Sequence, residues 1–146
     1  AAPNHWKTDE AETIDSFFHS GNIFWFSDQF RGYRGQDNKL PYDQHFLHGL
    51  ITPRPLLFTE AKGDDAANPR GTYFACQTAL ELYDMFQSTR SIGWALRDGE
   101  HAHTIEDFIS LLNFMDLQLL GKKTSIDFQP ALFDDLTELL KPFPKV

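Results

Sequence analysis

Two short apolar runs separated by a helix-length segment constrain the fold of this chain more than any other feature. The runs lie at about 55–60 and 91–96, and Leu56–Phe58 has the apolar character of a buried strand. Between the runs, Asn68-Pro69 predicts a helix N-cap followed by proline in the first turn, opening a helix that reaches about Phe86. A strand–helix–strand unit of this length implies a parallel pair with a right-handed crossover. The predicted fold class is therefore α/β, with helices covering parallel strands.

Apolar residues at helical spacing predict further helices on both sides of this unit. One runs over about 41–51, and another opens at Thr104, with Asp107 completing its capping box, and ends at Gly121. The apolar positions expected on the inner faces are Tyr42, Phe46, Leu47, Leu50 and Ile51 in the first helix, Phe74, Leu80, Leu82 and Tyr83 in the long central helix, and Phe108, Leu111, Leu112, Met115 and Leu119 in the last.

A two-stranded parallel sheet cannot bury both of its faces, and such pairs occur inside larger sheets. The predicted helices are also more apolar than two strands can cover. We therefore expect residues 1–146 to form a single partial domain, the C-terminal half of an α/β sandwich whose other strands lie elsewhere. Short helices are expected near 12–18 and 130–140, with 1–11 and 122–146 peripheral. The lack of an initiator methionine and of a signal peptide also favours a fragment.

The composition argues against several classes of partner. A formal net charge of −8 and a pI near 5.1 argue against nucleic acid and anionic membranes, because phosphate binding needs clustered Lys and Arg. No apolar run approaches the roughly 18 residues that a membrane span needs. The single cysteine, Cys76, cannot form a disulfide within the chain, so it is either a buried thiol or half of a bridge to another chain. Inside the predicted central helix its thiol is a poor nucleophile candidate.

Residues suited to acid–base chemistry follow both predicted strands. Asp64 and Asp65 follow the first strand, and His101 follows the second after a glycine turn. Active sites of open α/β sheets form at the carboxyl edge of the strands, where a carboxylate and a histidine from adjacent strands can make the acid–base part of a nucleophilic triad. In this interpretation His101 is the general base, and Asp64, with Asp65 as runner-up, orients it. The alternative is that His101 and His103 are surface loop residues and the aspartates a solvated turn.

Neither a nucleophile nor a metal site completes this chemistry within the sequence. No serine lies on a Gly-x-Ser-x-Gly turn between a strand and a helix. His101 and His103, with Asp64 beside them, resemble part of a metal site, and so do His45 and His48. A zinc site needs three or four ligands, however, and no Cys pair or His-Glu-x-x-His pattern supports one. We expect no metal and no other cofactor, and we expect His45 and His48 to be structural, hydrogen-bonded beneath the end of their helix.

Aromatic residues near the start of the chain are candidates for carbohydrate contact. Trp25 lies in the apolar run 23–26, and its face could stack on a sugar ring; packing in the core is the alternative. Phe30 and Tyr33 present the same choice.

Five motifs occur in order over about residues 11–120, each weak alone but specific in combination. They are Trp25-Phe-Ser-Asp-Gln-Phe-Arg-Gly-Tyr33, Leu40-Pro-Tyr-Asp-Gln-His45, Leu50-Ile-Thr-Pro-Arg-Pro-Leu56, Asn68-Pro-Arg-Gly71 and Gly99-Glu-His-Ala-His103. Together they resemble the glucuronoyl esterases (4-O-methyl-glucuronoyl methylesterases, carbohydrate esterase family fifteen), whose corresponding motifs are Trp-Phe-x-x-x-Phe-x-x-Tyr, Leu-Pro-Phe-Asp-x-His, Leu-Ile-Ala-Pro-Arg-Pro, Asp-Pro-x-Gly and Gly-Gly-His.

The resemblance implies a fold, a reaction and site residues. Members of the family are secreted serine esterases with an α/β-hydrolase fold, a three-layer αβα sandwich, and they cleave the ester between glucuronic acid on xylan and lignin alcohols without a metal. By resemblance, this chain is the C-terminal half of such a hydrolase, with His101 as the catalytic histidine. Asp64 is the acid of those members whose carboxylate follows this strand; in other members the acid comes from an earlier strand. The nucleophilic Ser and the oxyanion-hole Arg belong to an upstream Gly-x-Ser-Arg-x-Gly-Lys motif that this chain lacks, so the upstream half is an expected partner.

Two positions depart from the family pattern, and both bear on substrate binding. Ala66 stands two residues after Asp64, where the family usually has a Trp that packs on the uronate, and near Asn22 many members have a Glu that contacts the sugar. The candidate substrate-binding positions are Asn22, Trp25, Asp65 and Ala66. Cys76 falls near a cysteine that some members bridge to their upstream half, which implies a lost or intermolecular disulfide as the alternative to a buried thiol.

The leading hypothesis is a carboxylic ester hydrolase acting on 4-O-methyl-glucuronic acid esters of xylan, with a Ser-His-acid triad whose Ser lies outside this chain. One alternative is a non-catalytic carbohydrate-binding or partner lobe that keeps the scaffold without the chemistry. Another is a different esterase of the same fold, specific for acetyl or methyl esters.

Overall fold

The computed structural model, which describes residues 9–21 and 23–137, contains one parallel pair of strands linked by a long helix. Strand β1 spans Leu56–Ala61 and strand β2 spans Ile92–Arg97, with Leu56 opposite Ile92 and Ala61 opposite Arg97. Each strand lies one residue later than the sequence predicts. The predicted α/β class and the parallel pairing are confirmed.

Helices flank the strand pair in the order that the sequence predicts. They are α1 Ile14–His19, α2 Gln44–Gly49, α3 Pro69–Met85, α4 Ile105–Leu120 and α5 Asp134–Thr137, with 3-10 turns at Ile23–Trp25, Asp28–Tyr33, Asp37–Lys39 and Thr89–Ser91. Of the predicted helix near 130–140, only α5 falls within the described residues. No helix in the described ranges is long and apolar enough to cross a bilayer.

The predicted caps fix where the two long helices begin. Asn68 adopts a left-handed conformation (φ 54°), and its side-chain oxygen accepts a hydrogen bond from the Gly71 N–H at 2.9 Å. Helix α4 begins with the capping box of Thr104 and Asp107 and ends at Gly121, which also has a positive φ (64°). Because both helices start directly after the loops that follow the strands, the caps also fix the ends of those loops.

The core lies between α3 and one face of the strand pair. Its buried cluster consists of Tyr73, Cys76, Ala79, Tyr83, Ile92 and Trp94. The predicted inner face of α3 is only partly right. Tyr83 is buried, but Phe74, Leu80 and Leu82 are half-buried, and of these Phe74 and Leu80 pack against the buried cluster. Alanines and the cysteine let the α3 backbone approach the strands closely, so this face buries smaller side chains than apolarity alone predicts.

The outer edge of β2 is covered by the segment that follows α4. The Trp94 backbone N–H donates to the Phe128 carbonyl at 2.8 Å, and its indole N–H donates to the Pro130 carbonyl at 2.9 Å. A Cβ at Gly93 would meet the Phe114 ring and Phe128 at 3.0 Å, so this strand position needs glycine. The outer edge of β1, in contrast, pairs with no strand among the described residues.

Helix α4 buries a different set of residues from the one predicted. Phe114 and Asp107 are buried, and Leu111 is half-buried. An apolar stripe along the helix is exposed instead; it consists of Ile105, Phe108, Ile109, Leu112, Met115 and Leu119. Periodicity indicates that a helix has an apolar face, but the two strands within the described ranges are too narrow to cover all of it. The expectation that these helices need further strands stays a prediction.

The second histidine of α2 is buried with weaker hydrogen bonding than the sequence predicts. The His48 ring lies 4.6 Å from the Phe58 ring between centroids and is 4% exposed. Neither nitrogen of His48, nor Nε2 of His45, makes a hydrogen bond of ordinary geometry within the described residues, but the backbone of Ala75 acts as a weak hydrogen-bond partner of His48. The predicted hydrogen bonding is therefore weak for His48 and absent for Nε2 of His45 among the described residues. Burial is the main cause that lowers the pKa of His48 to about 4, so the ring is neutral at pH 7.

Candidate active site

Two loops meet at the carboxyl ends of the strands: the acid loop, residues 62–68, and the histidine loop, residues 98–104. Backbone hydrogen bonds extend the strand pairing into both loops, from the Lys62 N–H to the Arg97 carbonyl and from the Gly63 N–H to the Gly99 carbonyl, each at 2.9 Å. A Cβ at Gly63 would lie 2.8 Å from that Gly99 oxygen, and Gly99 has a φ of 108°. Both glycines therefore allow the loops to approach closely.

His101 and Asp64 are joined across this junction. His101 Nδ1 lies 2.8 Å from Asp64 Oδ2. The imidazole is 89% exposed, whereas the carboxylate is 11% exposed. The bond uses Nδ1, so Nε2 remains the ring nitrogen that can exchange a proton with a third group. This is the geometry of a general base and its orienting acid.

The acid loop holds the Asp64 carboxylate in place. The Ala67 N–H donates to Asp64 Oδ1 at 3.3 Å and to the Asp64 carbonyl at 3.1 Å, which closes a tight turn just before α3 begins. Asp65, the runner-up for the acid, is exposed. Of the two adjacent aspartates, the structure places only Asp64 in contact with His101 among the bonds it describes.

The carboxylates around His101 favour its charged form. The hydrogen bond that His101 donates to Asp64 is the largest cause that raises the pKa of His101 above its ordinary value, and the negative charges of Glu12 and Glu60 act in the same direction. Glu60 is the last but one residue of β1, and burial raises the pKa of its carboxyl group. A histidine tuned in this way is a stronger base than a free imidazole.

An open cleft of about 300 Å³ lies beside the pair. Its lining comes from the ends of both strands, Thr59, Glu60 and Ala61 of β1 and Arg97 of β2, and from the two loops, which contribute Asp64, His101 and His103. The cleft therefore lies at the carboxyl ends of the strand pair, beside the exposed ring of His101.

The other candidate site residues lie apart from this pair or outside the described residues. Ala66 is exposed, and its carbonyl accepts from the Glu12 N–H at 2.9 Å, which ties the segment before α1 to the acid loop. Trp25 is 63% exposed and contacts Phe17, with ring centroids 5.4 Å apart. Trp25 is therefore not part of the core of the described residues, and its role in sugar stacking stays a prediction. Asn22 lies outside the described residues.

Two other possibilities raised by the sequence are a metal site and a reactive or bridged Cys76. Within the described ranges, no group of His, Cys, Asp and Glu could hold a metal ion. Cys76 is a free thiol buried in α3, and burial raises its pKa well above the ordinary value. A thiol in this state is a poor nucleophile.

One element of the site was missed in the sequence. Arg97 and Asp107 form an almost fully buried ion pair, with Arg97 Nε 2.8 Å from Asp107 Oδ2. The sequence identified Asp107 only as a helix cap. No local spacing rule links it to an arginine at the end of a strand.

A carboxylate after one parallel strand and a histidine after the next, with helices against the strands, is an arrangement typical of α/β hydrolases. The comparisons with known proteins agree. The model of the fungal glucuronyl esterase family matches residues 4–87. The solved structure of a carbohydrate esterase family 15 glucuronoyl esterase from Caldicellulosiruptor kristjansonii aligns with a TM-score of 0.85 and 33% identity, over 90% of this chain and 37% of that chain.

Curated relatives give the same result. A carbohydrate esterase from an unknown prokaryotic organism is 33% identical over 112 residues, covering 66% of this chain and 26% of the relative. A 4-O-methyl-glucuronoyl methylesterase from Phanerochaete carnosa is 34% identical over 107 residues, covering 69% and 25%. The chain belongs to the glucuronoyl esterase family, and it spans about a quarter of the length of these relatives, corresponding to a C-terminal portion of them.

Proposed function

We propose that this chain supplies the acid–base half of a serine-type glucuronoyl esterase whose nucleophile lies in another part of the enzyme. The observation that carries the proposal is the 2.8 Å contact between His101 Nδ1 and Asp64 Oδ2 at the carboxyl ends of adjacent parallel strands. Family membership supports the substrate class: esters of 4-O-methyl-glucuronic acid on xylan, including lignin–carbohydrate esters. The site of action would then be extracellular or periplasmic, where such polymers occur.

In the proposed reaction, a serine hydroxyl from the other half attacks the uronate carbonyl carbon. His101 Nε2 accepts the hydroxyl proton, while Asp64 holds the Nδ1–H and stabilises the imidazolium. The tetrahedral intermediate then collapses, the bond from the carbonyl carbon to the alcohol oxygen breaks, and His101 returns the proton to the leaving alcohol. Water attacks the acyl-serine with His101 again as base, which releases the uronic acid and restores the serine.

The nucleophile half would dock along the unpaired edge of β1. That edge pairs with no strand among the described residues, and a parallel strand added there would bring its own carboxyl end to the side of the sheet where His101 lies. The exposed stripe of α4 and the exposed apolar residues Phe46 and Leu47 of α2 and Leu50 at its C-cap would be covered by the added layer. Nε2 of His45, which has no hydrogen-bond partner among the described residues, would then find one in the other half.

Reconstitution tests this proposal. The chain should be combined with an upstream segment that carries the Gly-x-Ser-Arg-x-Gly motif, and the mixture assayed on a benzyl ester of glucuronic acid. We expect hydrolysis from the mixture and none from either part alone, and loss of hydrolysis in His101→Ala. The matched control is His103→Ala, because His103 is exposed and lines the same cleft but packs on Phe108, with ring centroids 4.5 Å apart, instead of contacting Asp64. Hydrolysis that survives His101→Ala would contradict the proposal.

The exposed Ala66 favours a second candidate, a carboxylic esterase of the same fold with a different substrate. Without an aromatic ring at this position, the acid loop presents little surface to a uronate ring. Profiling the reconstituted enzyme against glucuronate, acetyl and methyl esters separates the two candidates. In the first, Trp25, Asn22 and Asp65 would bind the sugar, and Ala66→Trp should improve KM for glucuronate esters. Preference for acetyl esters would favour the second.

A non-catalytic carbohydrate-binding lobe would behave differently from both esterases. Sugar would bind to the chain alone, binding would be lost in Trp25→Ala, and His101→Ala would leave it unchanged. The exposed ring of Trp25 makes that measurement feasible by fluorescence.

A further inference from the structure

Arg97, the last residue of β2, is bonded to the backbone on both sides of His101. Its Nη1 and Nη2 groups donate to the Glu100 carbonyl at 3.5 and 3.4 Å, and Nη2 also donates to the Ala102 carbonyl. Nη1 makes a further bond to the Asp98 carbonyl at 3.1 Å. The guanidinium therefore lies inside the histidine loop and binds the carbonyls of the residues before and after His101.

Asp107 fixes this guanidinium from helix α4. Its Oδ2 accepts from Arg97 Nε at 2.8 Å, from the Thr104 N–H at 2.7 Å and from the Thr104 hydroxyl at 3.1 Å. Burial alone would raise the pKa of Asp107, but the hydrogen bonds from Thr104 and Arg97 outweigh it and hold the pKa below its ordinary value. The carboxylate is therefore ionised at neutral pH. It accepts hydrogen bonds from Arg97, just before the histidine loop, and from Thr104, the last residue of that loop, so it links the two ends of the loop.

The histidine itself is held by little else. Its side chain is 89% exposed, so packing does not orient the ring. The ring reaches Asp64 only while the loop backbone keeps its Cα and Cβ in place. Arg97 and Asp107 are 10% and 5% exposed, and they give the loop a buried support directly behind His101. A planar guanidinium suits this task, because its five donors have a fixed geometry.

We propose that Arg97, anchored by Asp107, is a positioning residue that holds His101 in hydrogen-bond contact with Asp64. Arg97 does not touch the reacting atoms; it acts through the backbone carbonyls of Glu100 and Ala102. The inference rests on the proposed function of the His101–Asp64 pair, but it concerns a geometry that can be measured without turnover.

The positional and the electrostatic effects of Arg97 on His101 have opposite signs. The charges of Asp64, Glu12 and Glu60 favour the imidazolium, whereas any effect of the positive charge of Arg97 would oppose it, because like charges disfavour each other. Removing that charge alone would raise the pKa of His101. Losing the contact with Asp64 would lower it. The sign of the change therefore separates a positioning residue from a simple neighbouring charge.

The test is an NMR titration of His101 in the chain and in three variants. Asp64→Asn sets the lower reference, because it removes the largest cause of the raised pKa. Arg97→Lys keeps the positive charge but loses the planar set of guanidinium donors that bind the loop carbonyls. Arg97→Gln loses the charge and that set of donors. We expect the pKa of His101 to fall towards the Asp64→Asn value in both Arg97 variants. An unchanged or higher pKa in these variants would overturn the proposal.

Two controls make the result specific. Lys62→Gln removes a positive charge that pairs with Asp98 of the same loop at 2.7 Å without touching the loop carbonyls, so it should not lower the pKa of His101. The indole N–H signal of Trp94, bonded to the Pro130 carbonyl, reports whether the core is intact. Loss of this signal in Arg97→Lys would make Arg97 a residue for global stability and would also overturn the proposal. Failure of the reconstituted esterase with a normal titration would count against the proposed function alone.

Discussion

The two outer edges of the strand pair differ in how they are completed. The edge of β2 is closed within the chain, because the Phe128–Pro130 segment binds both the backbone and the indole of Trp94. The edge of β1 pairs with no strand in the described residues, and His101 lies at the carboxyl end of the same strand pair. One edge is thus covered by the chain itself, and the other is unpaired. The proposed function needs both properties: a stable support for the acid–base pair, and an edge where a nucleophile can arrive.

The largest expected effect is at the junction of the two loops. In the reconstituted enzyme, Asp64→Asn should lower kcat by on the order of 10⁴-fold, as loss of the orienting acid does in serine hydrolases, because the histidine loses both its orientation and its stabilised charge. Asp65→Asn is the matched control, since Asp65 is adjacent but exposed and should change kcat little. A larger loss in Asp65→Asn than in Asp64→Asn would make Asp65 the acid and would break the assignment of the pair.

The next largest effect is on stability, and it distinguishes the core beneath the covered edge of β2 from the exposed apolar stripe of α4. Trp94→Ala should lower the free energy of unfolding by about 3–5 kcal/mol, because it leaves a cavity in the core and removes the bond to Pro130. Leu112→Ala on the exposed stripe of α4 should change it by less than about 0.5 kcal/mol in the chain alone. Denaturant titration of both variants measures this difference. Equal losses would mean that the stripe is covered within the chain.

A smaller effect on the pH dependence of stability is expected from His48, the buried histidine of α2. Its folded pKa of about 4 lies below the ordinary value of 6.5, so between these values the unfolded chain binds a proton that the folded chain does not. Stability should therefore fall as pH falls from about 6.5 towards 4, with a contribution on the order of 3 kcal/mol.

His48→Leu should flatten the pH dependence of the unfolding free energy measured at pH 7 and pH 4.5. His101 contributes with the opposite sign: its raised pKa gives stability that is present at low pH and is lost as pH rises through that pKa. An unchanged slope in His48→Leu would contradict the assignment of a neutral, buried His48.

Much of this organisation follows from the sequence, and the residues show why. Asn68-Pro69 and Thr104 with Asp107 fix helix starts through local hydrogen bonds, so both helices begin where expected. The contact between His101 and Asp64 was expected because the carboxyl ends of adjacent parallel strands must meet.

Other features depend on tertiary contacts that local patterns do not encode. The inner face of α3 was misjudged because close approach to the strands selects the small Cys76 and Ala79 over larger neighbours. The stripe on α4 was assigned to the core because periodicity reports an apolar face and not what covers it. The Arg97–Asp107 pair was missed because its bonds to the loop carbonyls exist only after the loop has folded.

In the proposed site, His101 donates its Nδ1 proton to Asp64 and keeps Nε2 for a nucleophile from another part of the enzyme. The tautomer and the pKa of His101 in the chain can be read from long-range proton–nitrogen NMR correlations across a pH titration. We expect the Nδ1–H tautomer at high pH and a pKa that falls in Asp64→Asn. An Nε2–H tautomer, or the same pKa in both proteins, would show that Asp64 does not orient His101.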